Sequence, residues 1–365
     1  MTKPHHPDYI LIFTVIALVV FGLIILTSAS VVISQETFGQ SYYFLKHQLL
    51  YGLLAGLIFW WLGQKIYYQT WAKLTLPLLF VSLVLLVLVF LPQIGYQYGG
   101  ANRWIVLGPV SVQPAEITKL TFILYLAALL AKKKEKVADV SQGLVPFLVI
   151  TVLIGILIAY QPDAGTLGII VLTAGLIYFL AGAKISHLFV IGLLGLASFF
   201  LLIKTAAYRM DRLNVFLRPE TDPQGIGYQI NQALLAIGSG GLFGRGLGHS
   251  LQKWQYLPEP ISDSIFAITA EELGFIGAVL LIILFIIFAW RGFKIAKNAP
   301  NVFGCLLAAG ITGWLVFQAL INMAAITGLI PLTGIPLPFV SYGGSAMAVS
   351  LAGIGILVNV SKYTR

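Results

Sequence analysis

The chain has almost no cysteine and little charge. Cys305 stands alone among 365 residues, which excludes a disulfide framework and a thiolate metal cluster. Only 10% of residues are charged, against about 25% in soluble domains, so a soluble globular fold is excluded as well. The histidines (His5, His6, His47, His187 and His249) show no metal-ligand spacing such as HExxH. The glycine-rich turn GRGLG at 244–248 lacks the GKS or GKT ending of a P-loop and follows no strand, which argues against a nucleotide site. No serine acyl-transfer motif is recognised either. Acids are scarcer than bases, 13 against 22, for a net charge of +9. The bases lie mainly in short connections between apolar runs, which is the pattern of membrane topology and not of nucleic-acid binding.

What is present is apolar sequence, 59% of the chain. At about 20 residues per span, ten helices are expected near 9–33, 47–63, 72–92, 114–131, 141–160, 165–183, 186–205, 263–290, 302–328 and 342–360. The fold class is therefore an all-α polytopic membrane protein. Residues 1–365 read as one domain, with a long extracytoplasmic connection, about 206–262, between the seventh and eighth helices. The first run is longer than a signal peptide's apolar region and reads as a retained helix. Lys3, Lys65, Lys73, the run Lys132-Lys133-Lys134-Glu135-Lys136, Lys184, Arg291, Lys294, Lys297, Lys362 and Arg365 fall on one side. That side is expected to be cytoplasmic, with both termini. The opposite side collects Glu36, Asp163, Asp211, Glu220, Asp222, Glu259 and Asp263, so chemistry is expected outside the cytoplasm.

The stretch 238–277, GSGGLFGRGLGHSLQKWQYLPEPISDSIFAITAEELGFIG, departs most from its surroundings. It brings glycine, charge and aromatics, and then carries Glu271 and Glu272 into an apolar helix. A charge at mid-membrane costs about 2.5–3.5 kcal/mol on insertion scales, so these acids need a reason. Asp263 in Ser262-Asp263-Ser264 reads either as a helix N-cap or as a working carboxylate. Asp163 in the turn Gln161-Pro162-Asp163 has the same two readings. Glu116 and Lys119 sit at i, i+3 and form either an intrahelical ion pair or a polar cavity floor. Arg209, Arg212 and Arg218 are either interfacial anchors for membrane lipids or a clamp on pyrophosphate. Residues 331–345, PLTGIPLPFVSYGGS, cannot continue a helix. They must be buried in protein or line a cavity, with Ser341, Tyr342, Gly343, Gly344 and Ser345 offering hydroxyls and amides to an anion.

Taken together, NRWI at 102–105, QPAEITK at 113–119, QPDAGT at 161–166, GYQINQALLAIGSGGLFGRGLG at 227–248, LPEPISD at 257–263, EELG at 271–274 and GIPLPFVSYGGS at 334–345 resemble the SEDS family (shape, elongation, division and sporulation) of bacterial membrane glycosyltransferases. The resemblance covers essentially the whole chain, and HSLQKWQYLPEP is more similar to its division-type members (FtsW) than to its elongation-type ones (RodA). One position departs: the family commonly has Phe after the key aspartate, and this chain has Ser264.

The resemblance implies polymerisation of lipid II, an undecaprenyl-pyrophosphate-linked disaccharide-pentapeptide, for septal wall synthesis, with Asp263 as the essential carboxylate. An inverting attack follows, in which Asp263 takes the proton of the acceptor's C4 hydroxyl. Candidate substrate-binding residues are Arg103, Trp104, Glu116, Lys119, Asp163, Arg212, Arg218, Lys253, Glu259 and the 341–345 segment. A carboxylate with basic neighbours is expected to stay ionised. No cofactor is fixed by the sequence, and a divalent cation, Mg or Mn, is a further candidate. The implied partners are a class B penicillin-binding protein supplying crosslinking and other divisome or elongasome proteins. Two competing readings are a lipid II flippase and a non-catalytic divisome scaffold. Against the flippase, the polar groups cluster to one side and no inverted repeat is visible.

Overall fold

The computed structural model describes residues 4–98, 101–108, 110–204, 207–218, 225–254 and 256–364. Lys3, Glu220, Asp222 and Arg365 lie outside the described residues, as do the side chains of Glu135 and Arg209.

Helices fill each of the ten expected segments. They are α1 (Tyr9–Phe38), α2 (Tyr43–His47), α3 (Ala55–Lys65), α4 (Tyr68–Leu88), α5 (Pro114–Lys133), α6 (Val145–Tyr160), α7 (Ala164–Leu180), α8 (Ile185–Lys204), α11 (Ile265–Lys297), α12 (Val302–Ile326) and α13 (Gly344–Ser361). A π-helical stretch, Gln48–Leu54, joins α2 to α3 without a break. Two further helices, α9 (Ala207–Leu217) and α10 (Ile226–Ser239), lie in the long connection. Among the described residues, seven helical segments are long and apolar enough to cross a membrane, and the protein is a multi-pass membrane protein.

Local chemistry sets the ends. Asp8 caps α1, its carboxylate accepting from Leu11 N at 2.9 Å, and Gly39 closes that helix in the left-handed region. Pro114 stands at the first position of α5, where its missing N–H costs nothing. The connection between α4 and α5 is not helical. It folds into an antiparallel sheet of β1 (Gly95–Tyr98), β2 (Ala101–Leu107) and β3 (Val110–Val112), in that order. The register places Tyr96 beside Trp104 and Ile105 beside Val112. This sheet is a small addition to an otherwise helical protein.

The helices arrange as an inner group and a surround. The apolar stretches of α5, α12 and α13 are each 72% buried, against 22% in α4 and 28% in α11, so the first three form the centre. Lipid accounts for the exposed apolar faces of the others, such as Phe80 and Phe189. Both termini meet at one end: His5 N donates to Lys362 O at 2.8 Å, and Arg291 forms an ion pair with Asp8. Asp263 precedes the start of α11 and Arg291 lies near its end, so the two stand at opposite ends of that helix.

The long helix α11 is kinked. Gly274 takes φ 68° and ψ −167°, which frees backbone groups at membrane depth. The glycine-rich loop before it satisfies them. Arg245 N donates to Glu271 O at 2.9 Å, Gly246 N to Glu272 O at 3.0 Å, Phe275 N to Gly241 O at 2.8 Å and Ile276 N to Leu242 O at 3.2 Å. The contact leaves no room for side chains. A Cβ on Gly274 would stand 2.3 Å from Gly244 N, and one on Gly244 would stand 2.1 Å from Glu272 O. GRGLG is thus a backbone wedge in a helix kink, which answers the demand that irregular chain in a membrane be covered by protein.

Candidate active site

Asp263 ends the loop that leads into α11 and is half-buried. It does not cap the helix. Ser264 occupies the N-cap position, and among the described residues no donor is bonded to the Asp263 carboxylate. Only its backbone carbonyl is held, by Asn322 Nδ2 at 2.9 Å. The carboxylate lines a small, partly open cleft of about 20 Å³ whose walls come from four directions. These are Arg212 of α9, Gln229 of α10, Asn322 with Ala325 and Ile326 of α12, and the broken segment Leu332 to Ile335. Gly334 lies against the acid. A Cβ there would be 3.5 Å from Asp263 Oδ2 and 3.9 Å from Arg212 Nη2, and the residue has φ +69°. Those distances are ordinary contact, and it is the left-handed φ that favours glycine here.

The electrostatics are mixed. Burial pushes the Asp263 carboxyl up to about 7, helped by the carboxylates of Glu259 and Asp163 and opposed by the guanidinium groups of Arg212 and Arg103. The expectation that this carboxylate stays ionised therefore changes. Desolvation outweighs the bases, and the group changes charge near neutrality, where a general base works best. Four other residues named from sequence (Arg103, Asp163, Arg212 and Glu259) are thereby brought within electrostatic reach of Asp263.

Their individual contacts differ. Arg212 Nη1 donates to Leu332 O at 3.1 Å, which ties α9 to the broken segment. Arg103 Nε donates to Gln161 O at 2.9 Å and Nη2 to Pro162 O, so it braces the turn carrying Asp163. Asp163 caps α7, accepting from Thr166 N at 3.0 Å and Thr166 Oγ1 at 2.9 Å. Here the capping reading holds. Glu259 is exposed, in the left-handed region at φ 50°, and accepts from Ser262 Oγ at 2.7 Å. Arg218 follows α9 and is exposed, and Trp104 is half-buried on β2.

Glu116 and Lys119 form the expected ion pair at 2.7 Å, with side chains 2% and 1% exposed. Lys119 Nζ also donates to Gln318 Oε1 at 2.8 Å. Gln318 in turn donates from Nε2 to Pro336 O at 2.9 Å. The pair is thus one remove from the cleft and supports its wall.

Ser341, Tyr342, Gly343 and Ser345 are clips. Ser341 Oγ donates to Ser262 O and accepts from Leu337 N. Tyr342 N donates to Ile261 O at 2.8 Å, while its hydroxyl meets His47 Nδ1 at 2.9 Å. Gly343 N donates to Gln48 Oε1 at 3.0 Å. Ser345 Oγ accepts from Gln113 N and donates to Ser111 O, each at 3.1 Å. Gly344 opens α13. The groups expected to face an anion hold the Asp263 loop and the sheet to the last helix.

Lys253 is buried, donating to Gly248 O at 2.6 Å and pairing with Glu272 Oε1 at 3.2 Å. Ser28 Oγ donates to the same Glu272 oxygen at 2.6 Å, and Ser250 Oγ donates to Glu271. Ser250 and Lys253 do have the SxxK spacing that the sequence reading passed over. The serine is fully buried and committed to a carboxylate, so no acyl donor reaches it.

Ser264, the departure from the family pattern, does specific work. Its hydroxyl donates to Pro258 O at 2.9 Å and accepts from Gln229 Nε2 at 3.2 Å, fastening α10 to the Asp263 loop. Gln48, Gln229, Gln318 and Asn322 were not picked out from sequence. Their only signal was a carboxamide inside or beside an apolar helix. Among the described residues, no three His, Cys, Asp or Glu side chains stand together as metal ligands, so the divalent cation has no side-chain cage here and no step is drawn through it.

Known proteins resemble this chain along nearly its whole length. Residues 9–365 match the FtsW/RodA/SpoVE family, described as cell cycle proteins. Stage V sporulation protein E of Bacillus subtilis is 43% identical over 100% of this chain and 99% of its own length. A probable peptidoglycan glycosyltransferase FtsW of Trichlorobacter lovleyi is 41% identical over 97% and 93%. A solved chain described under the structural coordination of polymerisation and crosslinking by a peptidoglycan synthase complex superposes with TM-score 0.79 at 29% identity, covering 98% and 99%. The crystal structure of the rod shape determining protein RodA of Thermus thermophilus gives TM-score 0.72 at 30% identity, over 98% of each chain. With a family match along nearly its whole length and relatives above 40% identity, this chain belongs to the FtsW/RodA/SpoVE family.

Proposed function

We propose that the protein is a peptidoglycan glycosyltransferase that polymerises lipid II into glycan strands on the outer face of the cytoplasmic membrane, in septal wall synthesis. The observation that carries this is the Asp263 carboxylate. It is not a helix cap, bears no hydrogen bond from the described residues, and lines an open cleft beside Arg212. An acid so placed is available for proton transfer, and its pKa of about 7 suits a base at neutral pH.

In the mechanism, the C4 hydroxyl of the acceptor sugar lies against Asp263 and loses its proton to Oδ as it attacks the anomeric carbon of the donor. The C–O bond to undecaprenyl pyrophosphate breaks on the opposite face, which inverts the anomeric centre. Pyrophosphate leaves as an anion and needs no proton. Arg212 supplies the facing positive charge that stabilises it, its guanidinium being oriented by Leu332 O. Glu259 and Asp163 keep the base weakly acidic, and Arg103 holds the Asp163 turn in place.

Relatives named as peptidoglycan glycosyltransferases, and a fold shared with a peptidoglycan synthase complex, support the substrate class. They also support a crosslinking partner of the penicillin-binding type. The test is lipid II polymerisation by purified protein, alone and with its cognate partner made inactive for transglycosylation. Glycan ladders that disappear with Asp263→Asn are expected. Ladders of near wild-type yield from that variant would sink the mechanism, and lipid II translocation without polymer would point to a flippase.

A further inference from the structure

We propose that Asn322 recognises substrate, its Oδ1 accepting a hydrogen bond from a neutral N–H or O–H group of the sugar seated against Asp263. The proposal rests on the glycosyl-transfer reading above and assigns it a specificity residue.

Two carboxamides sit one turn apart on α12, Gln318 and Asn322. Both donate to the broken segment, Gln318 to Pro336 O at 2.9 Å and Asn322 to Ile335 O at 2.7 Å. Gln318 is complete, since its Oε1 accepts from Lys119 Nζ at 2.8 Å and from Trp314 Nε1 at 2.9 Å. Asn322 is half complete. Its Nδ2 makes two bonds, to Ile335 O and Asp263 O, while its Oδ1 is buried without a partner. The orientation of the amide is not in doubt chemically. Two carbonyl oxygens demand a donor, and only the NH₂ end can serve both. Oδ1 is therefore an acceptor left over by construction.

An acceptor buried in this way costs stability unless something donates to it. Asn322 is 2% exposed and lines the same cleft as Asp263 and Arg212, so the donor is to come from the cleft's occupant. The chemistry of the missing group follows. It must carry a proton and no negative charge, because an anion would repel both Oδ1 and the neighbouring carboxylate. Sugar hydroxyls and the N–H of an N-acetyl group meet that description, whereas pyrophosphate does not. Asn322 thereby reads the sugar on the base side of the cleft, and Arg212 reads the leaving group.

The test compares binding to full-length Asp263→Asn protein, which does not turn substrate over. The probes are lipid-linked disaccharide and two analogues, one with the N-acetyl nitrogen replaced by oxygen and one lacking a ring hydroxyl. With Asn322 present, one analogue should bind about three- to ten-fold more weakly than the natural substrate, the range of one hydrogen bond. In Asn322→Ala the natural substrate should weaken by a similar factor and the difference should vanish. Asn322→Asp, which keeps an oxygen acceptor but loses both donor bonds, should retain the preference. Equal binding of all three probes when Asn322 is intact overturns the proposal without recourse to a variant. So does a preference that survives in Asn322→Ala. If unmodified protein makes no glycan yet the preference is seen, the transfer reading falls and the recognition site stands. Glycan made without any preference has the reverse meaning.

Discussion

Two acidic groups lie within three turns of each other around the start of α11, and they are treated in opposite ways. Glu271 and Glu272 are inside the helix and fully enclosed. Their oxygens take bonds from Ser28, Ser250, the Leu251 amide and Lys253, with Arg245 at 4.0 Å. Asp263, just ahead of the helix, has two guanidinium groups and two other carboxylates around it but no bonded donor among the described residues. The first group is a structural joint, in which charge is neutralised so that a loop, α1 and α11 lock together. The second keeps its carboxylate unsaturated, at an energetic cost borne by the surrounding scaffold. Direct donors therefore separate the two roles: three of the four glutamate oxygens accept hydrogen bonds, with Glu272 Oε2 the exception, whereas the Asp263 carboxylate accepts none among the described residues.

The sharpest way to break this contrast is to neutralise each acid in turn. Asp263→Asn should lower polymerisation by about 10²–10⁴-fold, the range of general base catalysis, while the detergent-solubilised protein stays folded. A variant that unfolds would return Asp263 to the structural class. Lys253→Met should do the reverse. It leaves Glu272 buried and unpaired, at about 3–5 kcal/mol, and should appear as a large fall in melting temperature, with folded molecules still active. If Lys253→Met instead lowers turnover with an unchanged melting temperature, the lysine belongs to the chemistry.

Titration sharpens the comparison further. With Asp263 near 7, the polymerisation rate should rise with pH through that value and level off above it. Glu259→Gln removes an upward push and should move the inflection to lower pH. Arg212→Gln removes a downward pull and should move it higher. Unmoved inflections in both would show that another group titrates. Stability carries the opposite sign. A carboxyl raised in the folded protein above its ordinary value of 3.8 stabilises the fold in its protonated form. The benefit is present at low pH and is lost as pH climbs from about 4 to about 7. Asp263→Asn should lack that decline when melting is followed against pH. The smallest effect belongs to Ser345→Ala, which loosens the sheet from α13. It should cost about 0.5–1.5 kcal/mol in unfolding measurements, with polymerisation within about three-fold of wild type.

The sequence made some of this legible and hid the rest for a physical reason. Span positions follow from apolar length, and Asp263, Arg212 and Glu259 follow from charge that is costly near lipid. What was hidden is contact between distant parts. Nothing at Asn322 announces Asp263, 59 residues away, and nothing at Gln48 announces Gly343, 295 residues away. GRGLG reads locally as a flexible turn because backbone pairing with the Gly274 kink leaves no side-chain pattern. The sheet at 95–112 was missed in a stretch where glycine and polar residues blur alternation. Asp163 and Asp263 presented the same choice between cap and catalyst. Only the bonds show that the first is a cap and the second is not.

The clips that hold the Asp263 loop have a consequence for biosynthesis. Ile261 and Ser262 are grasped by Tyr342 and Ser341, and Asp263 by Asn322. All three partners follow α11 in the chain, and two of them come just before the last helix. During synthesis Asp263 is therefore made before any of the groups that fix its loop. A polypeptide that stops short of Ser341 carries the carboxylate but not the clips that place its loop.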